Sequence, residues 1–455
     1  MMMGVNAGAR LDRLPASGYH ARLATLIGAG MFFDGFDLFL AANVLGALAK
    51  SGFSNLALNG SFVSATFIGM TIGAFLSGWV GDKFGRRVTY QVNLLIFGLA
   101  SLAGAFAPNM EFLIAARFVM GVGLGAEIVV GYATFTEFLP PAVRGKWLGI
   151  LGMPMQIALF VGAFVGFLVI PHFGWRPMFG IAAVGALIVW YLRKNLPESP
   201  RWLEQKGRFE EAEAVTRMIE EQCGQPPGTA LALQADTTYE PTRFSNPKFL
   251  LSMFVGASTV IVLNITVFGF LSFVPTFFVQ EGMNIQKSLG FSTLMTLGGP
   301  VGGLITLFYA DRIGRKALMI SSAIVTAIIG CFYPFVGEGY MIAVVGFLLV
   351  SALYTNSTTG YSMFVPELFP TDVRLRSVGT CHTIGRIAGA AAPLASVYLF
   401  THYGIGGVIA LMSGLLVVQA LIIWTLGVES RFRSLEALNE ELEAAPNAEY
   451  RKSAS

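Results

Sequence analysis

Apolar runs of roughly 20 residues, each closed by charges or turn residues, follow one another from Arg22 almost to the end of the chain. A helix rising about 1.5 Å per residue needs about 20 such residues to cross the ~30 Å hydrocarbon core of a bilayer. The pattern predicts twelve spans, at 22–48, 58–80, 88–107, 111–134, 145–170, 175–194, 249–279, 288–310, 317–335, 339–366, 376–399 and 404–427. One long polar segment separates spans six and seven. From Glu198 to Met218 it interleaves both charge signs with helix formers and places Pro200 for a first turn, which predicts short amphipathic helices. Its remainder, through Gly224, Pro226, Pro227 and Gly228, reads as a flexible connection. The expectation is an all-α membrane protein with twelve transmembrane helices in two six-helix bundles. Residues 1–21 form an N-terminal segment, 22–194 the first bundle, 195–248 the linker, 249–428 the second bundle and 429–455 a tail.

Polar residues inside the spans carry the chemistry. An ionised Asp, Lys or Arg at the bilayer centre costs about 3 kcal/mol on insertion scales, so such residues face protein or water. Span one holds Asp34 and Asp37, three residues apart and on one helical face. Span four holds Arg117, near the depth of Asp37, and Glu127, ten residues on and about 15 Å further along the helix. A carboxylate that alternates between an Arg partner and isolation can couple proton uptake to a conformational change. Asp34, Asp37, Arg117 and Glu127 are therefore the proton-coupling candidates. The alternatives are a fixed ion pair joining two helices, polar packing for Asp34 and a helix-packing partner for Glu127.

Span eleven holds Arg386, with His382 one turn earlier on the same face. A guanidinium stays charged and offers forked donors that match a carboxylate; with no obvious intramembrane acid in the second half, its counter-ion is the substrate, the alternative being Glu127 or Asp34 in the empty protein, and His382 is either a ligand or a helix-packing histidine. Gln156, Asn264, Tyr354, Asn356 and Tyr361 are intramembrane groups able to orient that substrate, and Phe268, Phe270 and Phe273 enrich span seven. A planar or aromatic carboxylate suits this set, with its ring on aromatics and its charge on Arg386.

Composition narrows the classes. The chain is 54% hydrophobic and only 13% charged, against about 25% charged in a soluble protein. A net charge of +3 implies no nucleic-acid partner. Of the 30 Lys and Arg residues, 25 fall on the face shared by the N-terminus, the linker and the tail, three on the other face and two inside. That asymmetry predicts cytoplasmic termini and fits a bacterial inner membrane. Cys223, Cys331 and Cys381 show no metal or disulfide spacing, and residues 1–20 lack the pattern of a cleaved signal peptide. No nucleophile–base set, phosphate loop or metal cluster is present, so the expectation is a non-enzyme without cofactors, coupled to protons and functional as a monomer.

The chain also repeats itself. Gly81-Asp82-Lys83-Phe84-Gly85-Arg86-Arg87 recurs as Ala310-Asp311-Arg312-Ile313-Gly314-Arg315-Lys316, an offset of 229. The string from Glu137 to Arg144 recurs from Glu367 to Arg374 at 230, and Glu198-Ser199 recurs as Glu429-Ser430 at 231. Three strings at nearly one offset make a duplicated six-span unit, an arrangement that places a substrate site centrally between halves. At the equivalent span ends Asp82 and Asp311 can cap neighbouring helices. Arg86, Arg87, Arg315 and Lys316 can pair with Glu137, Glu367, Glu198 and Glu429, and with Arg144, Arg201 and Arg374 the set forms a candidate cytoplasmic gate.

On these residues the chain resembles the major facilitator superfamily over nearly its whole length. The Asp82–Arg87 loop resembles the superfamily signature, Pro197-Glu-Ser-Pro-Arg-Trp-Leu the sugar-porter motif after span six, and Asp34-Gly-Phe-Asp37 the first-span motif of aromatic acid:proton symporters. The resemblance implies an acid in span one working against an arginine in span four, which points to Asp37 with Arg117. Arg386 is similar to the buried arginine of organic-anion carriers. Span seven, around Asn264, lacks the sugar porters' glutamine cluster, and span ten lacks their Gly-Pro-x-x-Trp. The expected function is proton-coupled symport of a small organic anion by alternating access. A sugar or polyol carrier, an exporter and a non-transporting membrane receptor are the alternatives.

Overall fold

The computed structural model describes residues 5–226, 228, 246–336, 339–369 and 374–427. The chain divides into two compact units, Met1–Thr238 and Tyr239–Ser455. Most of the linker remainder, 229–245, lies outside the described residues, as does the tail from 428.

The first unit begins with a short helix, α1 (Ala7–Asp12), followed by α2 (Gly18–Lys50), α3 (Leu56–Phe84), α4 (Arg86–Ala105), α5 (Met110–Phe138), α6 (Pro141–Phe173) and α7 (Arg176–Arg193). The linker supplies α8 (Pro200–Gln205) and α9 (Phe209–Gln222). Helix α2 starts four residues before the apolar run does, because the Ser17 amide donates to His20 Nδ1 at 3.2 Å and closes the first turn. Asparagines cap later starts. Asn55 accepts from the Leu58 amide at 2.8 Å and Asn109 from the Phe112 amide at 2.9 Å.

Helices α3 and α5 meet backbone to backbone. A Cβ at Gly73 would lie 1.9 Å from the Val122 carbonyl oxygen, and one at Gly125 would lie 2.0 Å from that of Met70. Lipid supplies no hydrophobic drive between helices, so small residues that permit this approach hold the pair.

The second unit repeats the plan. Span seven is α10 (Pro247–Leu271) continued by α11 (Val274–Gln280), and span eight is α12 (Ile285–Thr296) continued by α13 (Gly298–Ile313). Span nine is α14 (Arg315–Phe332). Span ten is α15 (Tyr340–Thr359), a π-helical turn over Gly360–Phe364, and α16 (Val365–Glu367). The last two spans form one helical run, α17 (Arg374–Leu426), broken at Gly404 where φ is +64°. By length and apolarity ten stretches of the described residues can cross a membrane; Arg376–Leu426 counts there as one, and the 18-residue α7 is not among them.

Backbone irregularities recur at the sequence offset. Gly85 and Gly314 precede α4 and α14 at φ +101° and +103°, in a region closed to most side chains. Gly174 and Gly404 turn the chain between the last two spans of each unit. Of the intramembrane prolines, Pro275 sits at a break, whereas Pro154 and Pro393 lie inside continuous α6 and α17. Each of these two prolines removes one amide from its helix, and the helix runs on past it.

Candidate functional site

In the first unit α5 brings Arg117 against α2. Its Nη1 donates to Asp37 Oδ2, its Nη2 to the Asp37 carbonyl at 2.8 Å and its Nε to Thr66 Oγ1 of α3 at 2.9 Å. The guanidinium lies 5.1 Å from the Phe62 ring, and neither charged side chain is exposed. Asp37 Oδ1 has no hydrogen-bond partner among the described residues. The pair can therefore lose its bond to Oδ2 without Arg117 losing its other anchors.

Asp34, one turn back, takes no part in that pair. Both its oxygens are buried without a hydrogen-bond partner among the described residues. Glu127 instead meets Arg193, at the end of α7, whose Nη1 donates to Glu127 Oε1 while its Nε and Nη2 donate to the Leu26 and Ile27 carbonyls at 2.8 and 2.7 Å. Arg193 reads in the sequence as one of the surface charges beside Lys194; it is fully buried. The signal for it was Glu127 itself, which needed a cation inside the bundle. Gly30 makes room for it, since a Cβ there would lie 2.0 Å from Arg193 Nη2.

In the second unit four of the sequence candidates converge. Asn264 of α10 donates through Nδ2 to the Tyr361 hydroxyl at 2.9 Å. Tyr361, on the π-helical turn, stacks on His382 of α17 with ring centroids 5.3 Å apart and planes 21° apart. Arg386, one turn on from His382, is within electrostatic reach of both. Tyr361, His382 and Arg386 are all half-buried. A π-turn inserts one residue into the helix and re-aims its side chains, a device frequent at functional sites.

Other candidates fall elsewhere. Asn356 gives its Nδ2 to the Met319 carbonyl of α14 at 2.9 Å and to Ser322 Oγ at 3.2 Å, which makes it a helix-packing group. Tyr354 is buried, and its hydroxyl has no partner among the described residues. Gln156 is half-buried on α6. Phe270 packs edge-on against Tyr333, and Phe273 stacks on Phe277, so both are core aromatics and neither is free to receive a substrate ring. Phe268 is half-buried.

At the span ends Arg86 donates to Glu137 Oε1 at 3.0 and 3.1 Å, and Arg315 lies 3.3 Å from Glu367. Each of these pairs joins residues of one unit. Glu198 accepts from the Arg86 and Arg87 amides at 2.8 and 3.2 Å and so caps α4. Arg87 donates to the Lys194 carbonyl at 2.7 Å, and Lys316 to that of Gly427 at 2.8 Å. Arg201 bridges the Glu137 carbonyl at 2.9 Å and Asp12 at 2.6 Å. The side chains of Asp82, Arg144, Asp311 and Arg374, and all of Glu429, lie outside the described residues.

Helix α1 has no counterpart in the sequence reading. The Asn6 and Ala7 amides donate to Glu204 of α8 at 2.7 and 2.8 Å, and Arg10 and Arg13 both bind Glu220 of α9. Burial pushes the Glu220 carboxyl up, but Arg10, the Gly228 amide and Arg13 outweigh it and hold the group below its ordinary value. A carboxyl so depressed adds stability at neutral pH that disappears as pH falls through its folded value. Glu220→Gln is therefore expected to free α1 at neutral pH. Faster tryptic cleavage after Arg10 and Arg13 would show it, whereas an unchanged rate would mean that Glu204 and Asp12 suffice.

A family model described as Sugar (and other) transporter matches residues 27–442. An inner membrane metabolite transport protein, YdjE of Escherichia coli K12, is 35% identical over 443 residues, covering 95% of this chain and 98% of that protein. A niacin transporter, NiaP of Acinetobacter baylyi, is 30% identical over 435 residues, covering 94% and 98%. The solved structure of the proton:xylose symporter XylE bound to 6-bromo-6-deoxy-D-glucose shares the fold, with a TM-score of 0.70 at 21% identity over 93% of this chain and 99% of that one.

Proposed function

The chain belongs to the sugar and other transporter family of the major facilitator superfamily, multi-pass membrane carriers of small metabolites, and from that premise we propose that it is a secondary carrier coupling protons to a small organic anion. The observation that carries the proposal is the convergence of Asn264, Tyr361, His382 and Arg386 in the second unit. The Arg386 fork matches a carboxylate, and the Tyr361–His382 stack beside it offers a flat surface to a ring. An aromatic or other monocarboxylate fits both. A relative that carries niacin, itself an aromatic carboxylate, supports this class.

Asp37 is the proton-carrying group of this reading and Arg117 its switchable partner. In one state Arg117 holds the carboxylate ionised. When the helices shift and the bond to Oδ2 opens, Asp37 takes a proton from water, and the return is made with a neutral carboxyl beside the still-charged Arg117. Alternating access then carries proton and anion across together. Both termini and the basic loops face the cytoplasm of a bacterial inner membrane, the carrier works as a monomer, and the loop pairs Arg86–Glu137 and Arg315–Glu367 brace the cytoplasmic gate.

The test is proton movement in liposomes holding the purified protein and an external pH dye, with benzoate, nicotinate, acetate, xylose and inositol added in turn. Alkalinisation outside is expected with carboxylates alone and is lost in Arg386→Ala. Sugar uptake indifferent to Arg386 would replace this reading with a sugar or polyol carrier. Binding without accumulation of any compound would make the protein a receptor.

A further inference from the structure

The buried charges of the first unit do not balance. Asp34 of α2, Glu127 of α5 and Arg193 of α7 are electrostatic neighbours, which sets two carboxyl groups against one guanidinium. Arg193 gives Nη1 to Glu127 and Nε and Nη2 to the Leu26 and Ile27 carbonyls, and none of these bonds goes to Asp34. Neither Asp34 oxygen, nor Glu127 Oε2, accepts a hydrogen bond from any described residue, and both side chains are about 1% exposed. The remaining charged neighbour, Asp37, is held by Arg117. Helix α6, packed along this part of α2, presents Met155 and Ala158 to Gly35, the residue after Asp34. Two ionised carboxylates here would leave one neither paired nor hydrated, at a cost of several kcal/mol.

A narrow cleft at the loop end meets the cluster at Arg193, the partner of Glu127, and is not itself lined by either carboxyl group. It runs from the exposed Arg87 past Gln91, Tyr90 and Thr134 to Arg193, with room for about one water molecule. We infer that Asp34 and Glu127, beside Arg193, form a second proton-binding site, separate from Asp37–Arg117, that holds one proton and exchanges it through this cleft. The proton comes from water and forms an O–H bond on one of the two carboxyl groups, leaving a single carboxylate opposite Arg193. The inference deepens the proton-coupled reading and rests on it for its part in transport, though the bound proton can be tested without substrate.

Infrared difference spectroscopy of the purified carrier in lipid nanodiscs reads the C=O stretch of a protonated carboxyl. At neutral pH the wild type is expected to show such a band, shifting on transfer to D₂O. The band is expected to be lost in Asp34→Asn or Glu127→Gln and kept in Asp37→Asn, each variant first checked by gel filtration. Gln91→Leu is expected to slow the deuterium shift at least about 10-fold by drying the cleft. No band, or a band lost only in Asp37→Asn, would overturn the second site. A band that vanishes in sodium buffer and returns in choline buffer would make the occupant a metal cation and overturn it as well. An unchanged deuterium shift in Gln91→Leu would overturn the route. Because no anion is added, failure of the organic-anion reading leaves these outcomes readable.

Discussion

Asp37→Asn abolishes proton-driven accumulation by a factor of about 100 or more, the scale on which removal of a proton-transferring group acts, while exchange of substrate between the two sides of the membrane continues. The substitution keeps the shape of the side chain. It also leaves Arg117 bound to the main-chain carbonyl of residue 37 and to Thr66. What it removes is the capacity to cycle between a charged and a neutral form. Net uptake against a gradient needs that cycle, and counterflow of labelled against unlabelled substrate does not. Reconstituted vesicles can measure both with one preparation. Equal loss of both activities would mean that the Asp37–Arg117 pair is only a staple between α2 and α5, and normal accumulation would remove Asp37 from coupling altogether.

Gly73→Val has the second large effect, on folding. The added carbon would lie 1.9 Å from the Val122 carbonyl oxygen, a backbone atom that cannot swing away. Helices α3 and α5 must separate along the stretch where Gly69, Gly121 and Gly125 also meet opposing backbone. Overpacking costs typically 1–3 kcal/mol and more where the backbone must move, so about 3 kcal/mol or more is expected here. Gly303→Val, a glycine with nothing within 4 Å of its added carbon, is the control. Thermal unfolding followed by fluorescence-detected gel filtration should show the first variant melting far below the wild type and the second close to it. Equal melting of the two would mean that the α3–α5 contact is looser than described.

Legibility in the sequence followed how far each residue's needs were local. The spans were legible because a bilayer demands apolar length. The Asp37–Arg117 contact was legible because a lone intramembrane guanidinium has few possible partners at its depth. Arg193 was hidden because it stands beside Lys194 at a span end, where a stop-transfer charge is ordinary, and only the carbonyls of Leu26 and Ile27, far away in sequence, give it a buried seat. Asn356 and Phe270 were less legible for the opposite reason. Their chemistry suits a substrate, but their direction is set by packing against Ser322 and Tyr333, which no periodicity reveals. Helix α1 follows from Glu204 and Glu220 in the linker, a contact across about 200 residues.

The shared offset shows what the duplication kept and what it let go. The turning glycines persist in both units, as Gly85 with Gly314 and Gly174 with Gly404. The buried charges do not: the offset of 230 sets Phe347 against Arg117 and Ser357 against Glu127. One ancestral frame has thus been given two trades. On the proposed function the first copy handles the proton and the second reads the cargo. A lineage of such carriers can then change diet through substitutions around Tyr361 and Arg386 while its engine stays untouched. Relatives that differ in what they import should differ most around those residues and agree around Asp37 and Arg117.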